Sequence, residues 1–387
     1  MNVLKLIYKN LFRHSLRSVL TILGVAVAVL AFGLLRTVVT AWSYGVEASS
    51  ADRLVTRHAV SFIFPLPVAY RDQIAGIPGV TRVTYANWFQ GIYKDQSFEN
   101  FFPRLAVDAE TIFEVYKEYE VPADQLAAFK KQRNSCVIGR KLAEQHGFKI
   151  GDVIPITGDI FPGRWEFTVA GVYAGKDKTA DETQLFFHWD YLNERSRETA
   201  PWVTDQVGWY IVQIGQPNEA ANISAAIDAL YANSAAKTKS ETEKAFQQSF
   251  VSLSGAIITS LEVISYVIIG IILMVLANTI IMSARERIRE YAVLRTLGFT
   301  AFHVIGLIIG ESLFISMSGG ALGLALTFPV SSWFGAQFPT IFPVFAVQPS
   351  TVVLAALFAL AVGLIAASFP AARSARMRIV DGLRQIG

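Results

Sequence analysis

The chain has 387 residues, 52% hydrophobic and only 17% charged, with a formal net charge of +3. That balance excludes an ordinary soluble enzyme and points to a membrane protein that carries one soluble-type region. The single cysteine, Cys136, excludes an intrachain disulfide and a thiolate metal cluster.

Leu4, Ile7, Tyr8, Leu11 and Phe12 fall at helical spacing, with Lys5, Lys9 and Arg13 off that face. Residues 1–17 are therefore expected to form an amphipathic helix on the membrane surface, its bases drawn to lipid headgroups. A first span follows over 18–41, apolar from Val19 to Leu35 and long enough for about 30 Å of hydrocarbon. The long basic lead, with no small-residue cleavage site near Trp42 and Tyr44, favours an uncleaved anchor over a signal peptide. Arg36, near the end of this span, reads as a snorkelling side chain.

Residues 42–254 alternate short strands and helices with frequent turns, the pattern of an α+β domain large enough for its own core. Strands are expected over Leu54–Phe64, after the turn Ile77-Pro78-Gly79-Val80, over Val137–Gly139, within Trp165–Val172 and over Gly208–Ile214. Helices are expected at Tyr70–Ala75, at Val121–Lys131 with Pro122 in its first turn, at Arg140–His146 and at Glu219–Tyr231. Cys136 lies in a strand-like apolar stretch and reads as a small buried hydrophobe. From Thr238 the chain reads as one long helix, polar to Gln248 and then apolar, rising out of the second span as a stalk.

That second span covers 255–283. A short basic helix follows over 284–300, then a third span over 301–330, an uncharged loop over 331–349, a fourth span over 350–371 ending near Pro370, and a basic tail over 372–387. The third span carries Gly306 and Gly310, then Gly319 and Gly323. These two Gly-x-x-x-Gly spacings allow close helix approach, either within one bundle or across a dimer seam. The fold class expected is thus four transmembrane helices with an extracytoplasmic α+β domain between the first and second.

Charge sets the orientation. Residues 41–254 hold 21 Lys and Arg against 26 Asp and Glu, whereas the N-terminal segment, the 283–300 loop and the tail together hold 12 basic and 3 acidic residues. Basic residues beside spans place both termini and the 283–300 loop in the cytoplasm and the large domain outside. The mild acidity of that domain argues against a nucleic-acid partner.

The sequence carries no recognisable catalytic constellation. No Gly-x-x-x-x-Gly-Lys-Ser/Thr run can cradle phosphates, so no cofactor is expected in this chain and any ATP and Mg belong to a separate motor subunit. The five histidines are scattered, with no paired metal-ligand spacing. Gly310-Glu311-Ser312 begins like a nucleophile elbow but lacks its closing glycine. Two acids lie in apolar spans, Glu262 and Glu311. Charge at membrane depth is costly, which makes both functional candidates, Glu311 near mid-depth and Glu262 nearer the outer surface.

The stretch NTIIMSARERIREYAVLRTLGF, Asn278 to Phe299, organises the rest. Arg285, Arg287, Arg289 and Arg295 are offset only by Glu286 and Glu290. Ile288, Tyr291, Ala292, Leu294 and Leu297 fall at steps of three and four, and Gly298 stands where a helix ends. The run Asn278-Thr279, Glu286-Arg287 and Glu290-Tyr291-Ala292-Val293-Leu294-Arg295-Thr296-Leu297-Gly298 resembles the segment between the second and third spans of MacB/FtsX-family ABC-transporter permeases. Tyr291 stands where the family usually has an aliphatic residue. A Val-aliphatic-Gly strand and a Gly-Asp turn in the large domain are similar to that family's periplasmic core. Pro370-Ala371-Ala372-Arg373 and Leu383-Arg384 resemble its C-terminal signature, with Ile379 in place of a proline.

The resemblance implies a non-enzymatic permease subunit of the bacterial inner membrane. Its implied partners are a cytoplasmic ABC ATPase, a second permease chain (identical or related), membrane lipids and, for export, a periplasmic adaptor. Glu286, Arg287, Glu290, Leu294, Arg295 and Gly298 are expected to couple to the ATPase. The function implied is export or extraction of a lipid, lipoprotein, peptide or drug. A mechanotransmitter that activates an outer partner such as a cell-wall hydrolase is the alternative, and a membrane-bound enzyme has no motif to support it.

Overall fold

The computed structural model describes residues 15–42, 46, 49–177, 180–338, 342 and 344–376. The N-terminal helix expected over 1–17 falls outside these apart from its last three residues, as does most of the tail with Ile379 and Leu383-Arg384. The chain forms two compact units, a helical one (residues 1–41, 254–334 and 345–387) and an α+β one (residues 42–253 and 335–344).

Four helices of the helical unit are long and apolar enough to cross a membrane: Ser15–Trp42, Gly255–Glu286, Ala301–Gln337 and Pro349–Ser374. Their apolar residues are only partly buried, as in a bundle whose outer surface faces lipid. Small residues make the contacts. A Cβ on Gly319 would stand 2.6 Å from the Cβ of Val25, and one on Gly323 would stand 2.5 Å from the carbonyl of Ala26. The first helix therefore lies backbone-to-backbone against the third. Across the third helix's other side, Gly320 meets Ala359, and Ser312 Oγ donates to the Gly363 carbonyl of the fourth helix at 2.7 Å. Ser312, the middle of the discarded elbow, is thus a packing residue.

Several span ends run past expectation: the second helix reaches Glu286 rather than 283, so the short helix begins only at Ile288. The third helix runs through Pro329 to Gln337. The fourth passes Pro370 to reach Ala375, because a missing N–H near a helix end frees only the Ala366 carbonyl while Ala366, Ala367 and Ala371 stay buried.

In the α+β unit, one sheet runs in spatial order Thr238–Thr242, Arg53–His58, Trp209–Ile214, Val80–Trp88, Arg104–Val107, Leu185–His188, Ser135–Gly139, Gly163–Gly175, Val153–Gly158 and Gly91–Ile92. Among the described residues, only the pairs Arg104–Val107 with Leu185–His188 and Ser135–Gly139 with Gly163–Gly175 are parallel. The strands Ser135–Gly139 and Leu185–His188 are buried at every position, as continuous apolar runs in the middle of a covered sheet are. Cys136, Ile138, Leu185 and Phe187 enter the core under the helices Tyr70–Ala75, Arg140–His146, Trp189–Thr199 and Ala220–Leu230. Val137 and Phe186 point the other way, into a second core with Phe129 and Val115. Burial pushes the Cys136 thiol well above its ordinary range.

Two expectations for this unit need correction. The first strand stops at His58 rather than Phe64; Ala59 N–H still reaches the Lys237 carbonyl, and Ser61–Phe64 then turns. The stalk is not one helix from Thr238. Thr238–Thr242 is an edge strand paired with Arg53–His58, because Thr238 and Ser240 alternate inward and their hydroxyls donate to Asp228. A helix then covers Glu243–Leu253, and Ser254 separates it from Gly255–Glu286.

Candidate functional site

The basic stretch folds as a break at Arg287 followed by a nine-residue helix, Ile288–Thr296. Its end is a Schellman cap: Phe299 N–H reaches the Leu294 carbonyl, Gly298 N–H reaches the Arg295 carbonyl, and Gly298 takes φ +94°. Any other residue there would be strained, which explains the glycine.

This helix has two faces. Ser283, Ala284, Arg287, Tyr291 and Ala292 are buried at helical steps of three to five. Val293 is 46% and Leu297 is 71% exposed, and Arg285, Arg289 and Thr296 share the open side. Of the residues expected to couple to a motor, Glu286 and Gly298 are exposed, Glu290 and Arg295 are half-buried, and Leu294 packs against the bundle. Arg287 does not belong to that surface. It is 5% exposed and donates to Glu311 at 2.8 Å, while Ser283 Oγ donates to the other Glu311 oxygen at 3.1 Å. Tyr291, the residue at the usually aliphatic position, is buried beside Arg287. Glu311, 8% exposed, is thus a paired anion that ties the turn before the short helix to the third span. A buried charge pair of this kind resists loss of either partner more than it adds net stability.

The other intramembrane acid is paired as well. Glu262 accepts from Arg36 at 2.9 Å, and at the opposite end Arg17 donates to both oxygens of Glu286 at 2.9 and 2.8 Å. From Arg17 to Arg36 the helix rises about 28 Å with no charge between, close to the thickness of a hydrocarbon layer. The two pairs therefore mark the two faces of the membrane, and Glu262 stands at one of them. Arg36, which the sequence presents as a snorkelling side chain, and Arg17 both have partners more than 200 residues away.

The glycines divide. Gly319 and Gly323 are filled by the first helix, whereas Gly306 is exposed with open space around it and Gly310 is half-buried.

A second buried charge cluster lies in the α+β unit. Arg53 donates to Glu118 at 2.9 Å, to Glu243 at 2.9 Å and to the Val115 carbonyl, and lies 4.4 Å over the Tyr116 ring. Burial alone would lower Arg53, but the hydrogen bond to Glu118 and the Glu243 charge hold it above its ordinary range. Glu243 opens the stalk helix and also accepts from Ser50 N–H. One carboxylate thus clamps the segment entering this unit to the helix leaving it. No local sequence pattern announces this cluster.

Two family descriptions match the chain, the MacB-like periplasmic core domain over residues 18–230 and the FtsX-like permease C-terminal region over residues 262–379. The chain belongs to the MacB/FtsX family of ABC-transporter permeases. An uncharacterized ABC transporter permease of Methanocaldococcus jannaschii is 22% identical over 99% of this chain and 98% of its own length. The periplasmic region of MacB from Actinobacillus actinomycetemcomitans, 9% identical, aligns with 53% of this chain and 95% of its own, at a TM-score of 0.38. The extracellular domain of the transporter YknZ from Gram-positive bacteria, 13% identical, aligns with 49% and 98%, at a TM-score of 0.37. Membership makes this chain a transmembrane permease subunit that works with an ATPase partner and as a dimer.

Proposed function

We propose that this permease subunit receives ATP-driven motion from a separate cytoplasmic ATPase at the helix Ile288–Thr296 and passes it through the spans to the α+β domain. Both termini and the short helix lie in the cytoplasm of an inner membrane, the α+β domain lies outside, and the substrate is a lipid, lipoprotein, peptide or drug moved or extracted on that outer side. An adaptor on the same side completes an export route.

The observation that carries this reading is the two-faced helix. Leu297 and Val293 stand exposed among bases on one side, while Arg287 and Tyr291 anchor the other side to Glu311. A partner cleft that takes up Leu297 therefore pulls on a rigidly held element rather than on a loop. ATP and Mg act in the partner; the residues of this chain bind, transmit and position.

The test is capture of the cognate ATPase from membranes together with stimulated ATP hydrolysis. Leu297→Asp and Glu290→Arg are expected to lose capture and lower hydrolysis at least ten-fold, because a charge facing like charge or an apolar cleft at an interface costs several kcal/mol. Wild-type capture and hydrolysis in both variants would exclude this helix as the docking element.

A further inference from the structure

The strand Arg53–His58 runs into a short loop, residues 59–65, that turns apolar side chains outward. Val60 is 75%, Ile63 is 88% and Phe64 is 51% exposed. Single exposed hydrophobes are ordinary, but three on one short loop form a patch that calls for a partner. The loop is firmly rooted. Phe62 turns inward, its ring 4.8 Å from that of Trp209, 5.4 Å from Phe246 and 5.9 Å from Phe250. Most of its amides are engaged from within the domain. Ala59 N–H donates to the Lys237 carbonyl at 2.8 Å and Val60 N–H to His58 Nδ1 at 3.2 Å. Ile63 N–H donates to Ser61 Oγ and Phe64 N–H to the Ser61 carbonyl, each at 3.3 Å. Pro65 has no amide to satisfy. Such a tip can leave water without stranding these donors.

We propose that this loop dips into the membrane surface, with Val60, Ile63 and Phe64 entering the headgroup–acyl boundary of the leaflet next to the α+β domain. Chain connectivity brings it there. Phe250, one of the rings holding Phe62, precedes Gly255, where the second span's helix begins, by five residues. Those residues reach at most about 18 Å. The base of the loop is basic. Lys237, whose carbonyl holds Ala59, and Lys239 are both exposed, and Lys239 and Arg57 share Glu241. Bases beside an apolar tip match anionic headgroups over hydrocarbon. Three side chains offer far less than the roughly 800 Å² per partner of a stable protein interface. Lipid needs no such area, because the spans already hold the domain beside the bilayer. This contact goes beyond the coupling reading, and its test uses no ATPase.

The full chain carrying Ile63→Cys is labelled with an environment-sensitive fluorophore and reconstituted in nanodiscs of phosphatidylethanolamine and phosphatidylglycerol. Cys136 is buried, so the introduced thiol takes the label. Ile63 is so exposed that the change leaves the fold intact, and Ile150→Cys, exposed elsewhere on the same domain, is the control. Lipid bearing a nitroxide high on its acyl chain is expected to quench the label at 63 at least five-fold more than the label at 150, and aqueous iodide should quench in the reverse order. Lys237→Glu should lower the lipid quenching at 63 at least two-fold. Iodide quenching at 63 equal to that at 150, with no quenching from lipid, would overturn the proposal. So would a label at 63 shielded from both quenchers together with a high-yield interchain disulfide in unlabelled Ile63→Cys, which would assign the loop to a second copy of the chain.

Discussion

Two buried arginines hold the two units in the same way but are announced very differently. Arg287 is paired with Glu311 beside Ser283 and Tyr291, all within one short stretch and the span that follows it. Arg53 is paired with Glu118 and with Glu243, the latter 190 residues away. Each sits at a helix end within its own unit, Arg287 after the end of the second span and Arg53 under the start of the helix Glu243–Leu253. In both, a charge cluster rather than an apolar seam fixes the helix end. Apolar surfaces slide with little penalty, whereas a desolvated pair demands one geometry. On the function proposed above, motion applied to such an end would be transmitted instead of being absorbed.

Breaking the inner pair should have the largest effect. Arg287→Ala or Glu311→Ala leaves an uncompensated buried charge and should cost about 3–5 kcal/mol, read as loss of assembled protein in membranes. The joint change Arg287→Met with Glu311→Leu should restore assembly while leaving stimulated hydrolysis low, which would separate holding the fold from passing motion. If the single and joint changes behave alike, the pair has no special role.

The outer cluster should be more forgiving, because Arg53 keeps Glu118 when Glu243 is lost. Glu243→Gln is expected to destabilise the α+β domain by about 1.5–3 kcal/mol, measured as a lowered thermal midpoint. An effect as large as that of Glu311→Ala would erase the contrast between the two sites.

A comparable loss of about 1–3 kcal/mol is expected from Gly323→Val, whose side chain would strike the Ala26 carbonyl, whereas Gly306→Val should be near neutral because nothing lies within 4 Å. Solubility-resolved melting of both variants tests this. Equal damage would place an unseen partner on Gly306.

The smallest effect concerns pH in the α+β domain. Burial lowers His188, and burial with the charges of Lys94 and Arg104 lowers His146. A histidine whose folded value is depressed contributes stability that is present above its unfolded value, near 6.5, and lost as pH falls below it. The domain's melting point should therefore drop between about pH 7 and 5, and His146→Phe should flatten part of that slope. A melting point that rises on acidification would contradict the sign.

The fold and the site differ in how far they could be read from sequence. Helices Tyr70–Ala75 and Arg140–His146 lie where the sequence places them, each ending at a glycine, Gly76 and the left-handed Gly147, that is visible locally. Thr238–Thr242 looked helical because its strand partner, Arg53–His58, is distant in sequence. Within the motif, the short basic helix and Gly298 were legible. The inward turn of Arg287 was not, since its neighbours Arg285, Glu286 and Arg289 are all exposed and a run of charges reads as one surface. The spacing Ser283, Arg287, Tyr291 carried the missing signal: polar groups four residues apart on the apolar side of a helix, facing an acid in the next span. The pairs Arg17–Glu286 and Arg36–Glu262 could have been suggested by matching depth along antiparallel helices, but only once the topology was accepted.

The most direct measurement places spin labels in the assembled permease–ATPase complex in nanodiscs, pairing residues 289 of the two permease chains in one sample and residues 244 in another. On ATP binding the account predicts that both distances change, and that Glu311→Gln preserves the change at 289 while abolishing the change at 244. A change at 244 that persists in Glu311→Gln, or none in wild type, would contradict transmission through the buried Arg287–Glu311 pair.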